Sequence, residues 1–187
     1  MSTQRLTFLT GKKPVRAHLH LVTPASANEV TLREALPTDV DEMHALLEGF
    51  ARRGLLLPRT VEEVYRNFRE FVVAEHNGRV VGCAGLRLYS SELGEIVGLA
   101  VSEESHGRGV GRLLIETLLA QAKSLGLDKV IALTLQPEFF SRLGFEPTAV
   151  AEYPQKIAAD CSRCAKRATC IEIAVAYDLT VQALRRN

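Results

Sequence analysis

With 187 residues, the chain has room for one domain with a proper hydrophobic core. Its 23 Lys+Arg against 22 Asp+Glu leave a net charge of +1, so no basic footprint argues for a nucleic-acid partner. No apolar run approaches the ~20 residues that span a bilayer, and four cysteines without a secretory apolar core favour a reducing, cytoplasmic setting.

Residues 1–29 differ from the rest. They carry Arg5, Lys12, Lys13 and Arg16, contain no acid before Glu29, and reach Glu29 through Pro24-Ala25-Ser26-Ala27. A basic, acid-free start fits an organellar transit peptide or a plain N-terminal extension. Few arginines and the strand-like Leu19–Val22 run favour the extension. Residues 30–187 then read as a single domain.

Val30–Arg33 alternates as a short strand, and Pro37-Thr38-Asp39 opens a helix that Asp39 or Thr38 can cap. Val40, Met43, Leu46, Leu47 and Phe50 form that helix's apolar stripe, and Gly54 ends it. An apolar turn, Leu55–Arg59, leads to Thr60-Val61-Glu62-Glu63, a capping box for a second helix with Val64, Phe68 and Phe71 inward. Asn77-Gly78 is a strong hairpin signal between strands Phe71–Ala74 and Arg79–Tyr89. Gly82, Cys83 and Gly85 thin the second strand and suggest a bulge there.

The centre of the chain is Glu95–Ala122. Glu95–Val101 is apolar or glycine after its first residue, as in a strand buried on both faces. In His106-Gly107-Arg108-Gly109-Val110-Gly111-Arg112, glycines alternate and so allow close backbone approach to a ligand. A helix follows, with Val110, Leu113, Leu114, Thr117, Leu118, Gln121 and Ala122 on one stripe. N–H groups and the positive dipole end coincide at its first turn, which suits a pyrophosphate. Gly126 closes this helix, Lys129–Leu135 reads as a buried strand, and Pro137–Leu143 as a short helix ended by Gly144-Phe145. Pro147–Tyr153 is a strand or loop, residues 160–171 a cysteine-rich loop, and Ile171–Leu179 a last strand whose exposed edge could pair with another copy, giving a homodimer. These elements imply an α/β fold with a mixed central sheet flanked by helices.

The glycine loop and its flanks resemble the GNAT superfamily of acyl-CoA-dependent N-acetyltransferases, whose pattern is strand, Arg/Gln-x-x-Gly-x-Gly/Ala, helix. A later aromatic helix of that family appears here as Phe139-Phe140-Ser141-Arg142-Leu143-Gly144-Phe145. The resemblance covers roughly Val30 to Phe145. It implies the GNAT fold, with two splayed strands forming an acetyl-CoA cleft. Backbone groups of Leu99, Ala100 and Val101 would meet the pantetheine, and His106, Gly107, Arg108, Gly109, Val110, Gly111 and Arg112 would hold the pyrophosphate. Two departures stand out. His106 replaces the usual Arg or Gln, and Phe140 stands where many members carry a tyrosine that protonates the leaving thiolate.

A narrower resemblance links Gly54–Thr60, Gly82–Leu86, Gly94-Glu95-Ile96, Leu133-Thr134 and Phe139–Phe145 to acetyltransferase domains of N-acetylglutamate synthases, here as a short stand-alone form. It implies acetyl transfer to the α-amino group of L-glutamate, the entry step of arginine biosynthesis. Glu95, where the family often has a carboxylate, would be the general base. A dicarboxylate acceptor needs fixed cations, and Arg59, Arg87 and Lys156 are the candidates for substrate binding. Cys161, Cys164 and Cys170 supply three thiols where a structural zinc site normally takes four ligands, so no metal is expected. Two other readings stay open: a GNAT acting on another small amine or a protein N-terminus, and an acyl-CoA-binding sensor without transferase activity.

Overall fold

The computed structural model describes residues 30–184; the readings placed on residues 1–29 lie outside it. The strands are β1 (Thr31–Glu34), β2 (Phe71–His76), β3 (Arg79–Leu88), β4 (Leu93–Val101), β5 (Lys129–Thr134), β6 (Glu146–Thr148) and β7 (Ile173–Asp178). The helices are α1 (Val40–Arg52), α2 (Val61–Asn67), α3 (Val110–Ser124), α4 (Pro137–Ser141), α5 (Pro154–Ala159) and α6 (Leu179–Leu184).

All seven strands form one mixed sheet in the order β1-β2-β3-β4-β5-β7-β6, parallel between β4 and β5 and antiparallel elsewhere. Alternation sends side chains to two cores. Val72, Ala74, Leu86, Ile96 and Val130 pack with Val110, Leu114, Ile115 and Leu118 of α3. Phe71, Val73, Cys83, Val97 and Ala100 pack with Met43 and Leu47 of α1 and Val64 of α2. Sandwiched strands bury both faces, which explains their near-continuous apolar runs.

Local chemistry explains most boundaries. Thr60 Oγ1 accepts from the Glu63 N–H at 3.2 Å while Glu63 Oε2 accepts from the Thr60 N–H at 2.9 Å, closing the expected capping box. Asn77 and Gly78 both have positive φ, 51° and 74°, as a two-residue hairpin turn with the strands' own twist requires.

Several expectations need correction. Asp39 makes no side-chain cap; its carboxylate takes a two-pronged pair from Arg33 at 2.6 and 2.9 Å and the Leu36 N–H at 2.7 Å. Phe71 opens β2, as the strand Phe71–Ala74 implied, and does not also belong to the second helix, because a 3-10 turn over Phe68–Glu70 intervenes. On α3, Leu113 and Gln121 face solvent and Ile115 and Leu119 are buried instead, since the helix rotates its stripe toward the sheet. Finally, β7 is paired on both sides, with β5 and with the three-residue β6, so it offers no free edge to another copy.

The feature that positions the site is a fork between β4 and β5. They pair only through Leu93↔Lys129, Gly94↔Val130 and Glu95↔Ile131. Beyond Glu95, β4 continues with β3 and β5 continues with β7. A bulge helps to turn β4 aside: Cys83 faces Ala100 while Gly85 faces Val97, so β4 carries one extra residue. Gly98 sits there with φ +60°, and a Cβ on it would come 3.0 Å from the Phe71 ring. The bulge expected in β3 is also real but lies beside the glycines, at Val81, between Ala74↔Gly82 and Glu75↔Val80.

Candidate active site

The fork opens a cleft of about 490 Å³ between β4, the loop before α3, and the Leu133–Phe140 segment. Leu99, Val101, His106, Gly107, Gly109, Val110, Gly111, Arg112 and Phe140 line it. Ala100 turns the other way into the core under α1, and Arg108 is exposed without lining the cleft.

The loop has the backbone geometry that an anion cradle requires. Gly107 and Gly109 have φ of +74° and +78° with open space where a Cβ would stand. Among the described residues, the N–H groups of Gly107, Arg108 and Gly109 have no backbone or side-chain acceptor. The helix's own ladder begins with the Leu113 N–H donating to the Gly109 carbonyl at 3.0 Å. Free N–H groups at the start of a 15-residue helix suit a phosphate. His106 fills a mechanical role at the loop's entry: its Nε2 lies 2.9 Å from the Val101 carbonyl oxygen and ties the loop to the end of β4. That carbonyl, expected to face pantetheine, is engaged by the ring in this structure. Phe140 is 5% exposed and packs edge-on between Phe139 and Phe145, with ring centroids 5.3 and 5.1 Å away. Its ring has no proton to offer a thiolate. Replacing Gly109 by Ala should cost about 1 kcal/mol through the left-handed backbone. Gly109 also lines the cleft, so the KM for acetyl-CoA should rise well beyond what that loss explains. Thermal unfolding together with steady-state kinetics checks both numbers.

At the inner end of the fork lies a cluster of charges. Glu95, the last β4 residue paired with β5, is directly opposite Arg87 on β3, so the two side chains share a face. Helix α5 lies over that face and brings in Lys156, 8% exposed, with Asp160 one turn later. Lys156 Nζ donates to Glu95 Oε2 at 2.8 Å and to Asp160 Oδ2 at 2.9 Å, and the Tyr89 hydroxyl contacts both of those oxygens. Arg87 donates to Glu70 at 3.3 Å and stands 3.7 Å from Asp160. Arg59 lies over Phe71, its guanidinium carbon 5.9 Å from the ring centroid, and has no hydrogen-bond or ion-pair partner for its side chain among the described residues.

Burial pushes the Glu95 carboxyl above the usual carboxylate range, although Lys156 opposes it. Burial pulls Lys156 down, but the Glu95 and Asp160 charges outweigh it and hold the ammonium firmly protonated. A neutral Glu95 would not change the direction for Lys156, because Asp160, held below the usual carboxylate range, pairs with the same ammonium. Burial and the nearby Arg87 charge depress Arg59 below the usual arginine value. Burial pushes the Cys83 thiol up to about 12, as befits a packing residue.

All the residues expected to act on the acceptor, Glu95, Arg59, Arg87 and Lys156, thus belong to one neighbourhood. Sequence reading missed Tyr89, Asp160 and Glu70. The four-residue spacing of Lys156 and Asp160 on a helical segment was the one available signal. Cys161, Cys164 and Cys170 are free thiols, and no group of three metal-ligating side chains is arranged to hold an ion among the described residues. No helix among those residues is long and apolar enough to cross a membrane.

Comparisons with known proteins converge on this geometry. Residues 39–145 match the acetyltransferase (GNAT) family. The chain is 39% identical over 153 residues to an uncharacterized N-acetyltransferase of Chlorobaculum tepidum, covering 82% of this chain and 99% of that one. It is 38% identical over 117 residues to the amino-acid acetyltransferase of Mycobacterium tuberculosis, covering 61% of this chain and 67% of the relative. The N-acetylglutamate synthase of Neisseria gonorrhoeae, solved with coenzyme A and N-acetyl-glutamate, superposes with a TM-score of 0.72 at 27% identity, over 81% of this chain and 35% of that one. The chain therefore spans about a third of that longer enzyme. A mixed sheet forked beside a glycine cradle, the matched residues and these relatives together place the chain in the GNAT family of acetyltransferases.

Proposed function

We propose that this chain transfers the acetyl group of acetyl-CoA to the α-amino group of an acidic amino acid, L-glutamate, and so serves the entry step of arginine biosynthesis. One observation carries the acceptor class: Arg59 is a half-buried guanidinium with no hydrogen-bond or ion-pair partner for its side chain among the described residues, disfavoured by burial and the Arg87 charge, which Glu70 and Glu95 offset only in part. A desolvated cation without a counter-ion is costly to the free protein and favourable once a carboxylate arrives. The relatives named amino-acid acetyltransferase, and the gonococcal enzyme's bound N-acetyl-glutamate, support the same class.

In this reading the N–H groups of Gly107–Gly111 hold the pyrophosphate of acetyl-CoA, and the unpaired side of β4 meets its pantetheine arm. The acceptor carboxylates are drawn to Arg59 and its neighbours, which aims the amine along the fork. The amine nitrogen bonds to the thioester carbonyl carbon as the carbon–sulfur bond breaks. Glu95 receives the amine's proton, directly or through water, and the thiolate is protonated from solvent because Phe140 offers nothing.

Thiol release from acetyl-CoA, measured with the full chain and a panel of acceptors, tests the reading. The panel should hold glutamate, aspartate, glutamine, neutral amino acids and a short peptide. Glutamate should give the highest kcat/KM, with neutral amino acids lower by about tenfold or more for want of one charge-assisted contact. Preference for the peptide, or no turnover on any amine, would overturn it.

A further inference from the structure

The ring formed by Tyr89, Lys156, Glu95 and Asp160 holds more acceptors than its hydrogens can serve. The Tyr89 hydroxyl contacts Glu95 Oε2 and Asp160 Oδ2, the two oxygens that also share Lys156 Nζ. A phenol carries one hydrogen. If it is given to one carboxylate, Tyr89 Oη faces the other with lone pairs on both atoms, a repulsive contact. A second hydrogen on a carboxyl resolves it. Charge points the same way, since the buried Glu95 must share Lys156 with Asp160, whereas Asp160 also has Arg87 at 3.7 Å and access to solvent.

We propose that Glu95 and Asp160 form a carboxyl dyad sharing one proton across the Tyr89 hydroxyl, with Asp160 the positioning residue that decides when Glu95 ionises. The shared proton rests on Glu95, which donates to Tyr89 Oη while the Tyr89 hydroxyl donates to Asp160. Solvent access separates the two acids: the Glu95 side chain is 3% exposed and that of Asp160 is 31% exposed. Among the charged groups around them, Arg87 stands by Asp160 and favours its ionised form, although Glu70 takes part of that cation. Lys156 serves both acids, Arg59 approaches from beyond Phe71, and the Cys161 thiol faces the cluster from the loop after α5. Burial raising Glu95, and the Tyr89 and Lys156 hydrogen bonds holding Asp160 low despite its own burial, agree with this distribution. The catalytic consequence rests on the proposed function: Glu95 becomes a base only once the dyad releases its proton, above the usual carboxylate range.

Infrared spectroscopy of the full, ligand-free chain at neutral pH tests the dyad without reference to activity. The carbonyl stretch of a protonated carboxyl should be present, and should disappear in Glu95→Gln. It should also disappear in Asp160→Asn, where Lys156 serves Glu95 alone and lets it ionise. Tyr89→Phe, which removes the bridge and changes no charge, should shift the band in frequency. Absence of the band in the unaltered chain, or a band indifferent to all three substitutions, overturns the proposal. In the pH dependence of kcat/KM for the amino acid, Asp160→Asn should move the acid limb to lower pH. A limb that stays in place would overturn the role given to Asp160. A band that behaves as stated in a chain that acetylates no amine would support the dyad and sink the acceptor reading alone.

Discussion

Glu95→Gln should lower kcat by about 10²- to 10⁴-fold, the usual worth of a positioned general base, and leave the KM for acetyl-CoA nearly unchanged. The split follows from the site's geography. Glu95 is 3% exposed and bonded within the charge cluster, whereas the glycine cradle that would bind the donor is formed by a separate loop that does not contact it. In the unaltered enzyme, rate should climb with pH through a value above the usual glutamate range, because burial raises that carboxyl and the protonated form cannot act as base. Stability should run the opposite way. A carboxyl whose folded pKa is raised binds its proton more tightly folded than unfolded, so its contribution is fully present at low pH. That contribution falls as pH rises from the unfolded value through the folded one. The amide introduced by Glu95→Gln cannot ionise, so the variant should lose this part of the pH dependence of its melting temperature. Kinetics and thermal unfolding across a pH series measure both. A variant with unchanged kcat would remove Glu95 from the chemistry.

The two halves of the site differed in how far the chain betrayed them. The donor half is local: strand, alternate glycines and helix start lie within Glu95–Val110, so spacing alone carries both the backbone freedom and the direction of the N–H groups. The acceptor half is assembled from segments far apart, with Lys156 and Glu95 separated by 61 positions. Arg87 and Lys156 therefore looked like free cations in the sequence. The register that sets Arg87 opposite Glu95, and the helix that lowers Lys156 and Asp160 onto the same face, turned them into members of ion pairs. Similar reasons explain the misplaced edge. A three-residue β6 has too little pattern to decide between strand and loop after Pro147 or to show which strand it joins, so β7 looked unpaired on one side. The fork itself was expected from resemblance alone, since no periodicity records where two strands stop pairing.

Under the proposed function, pairing of Arg87 and Lys156 leaves acceptor recognition chiefly to Arg59, and Arg59→Ala should raise the KM for the amino acid by about tenfold to a hundredfold. A charge-assisted hydrogen bond contributes about 1.5–3 kcal/mol, and each ~1.4 kcal/mol is a factor of ten. The acetyl-CoA constant should stay put, because Arg59 does not line the donor cleft. Arg59→Lys should restore part of the loss but not all, since an ammonium lacks the planar fork that grips a carboxylate twice. Stability supplies the control that separates binding from structure. Burial and the Arg87 charge both disfavour the charged Arg59 side chain in the free protein, so Ala at this position should leave the melting temperature level or raise it. A merely structural arginine, stacked on Phe71 for packing, would behave differently: its removal would lower the melting temperature and move both Michaelis constants together. A raised amino-acid KM with undiminished stability is therefore the signature of a cation held at a cost for a carboxylate that the free protein does not supply.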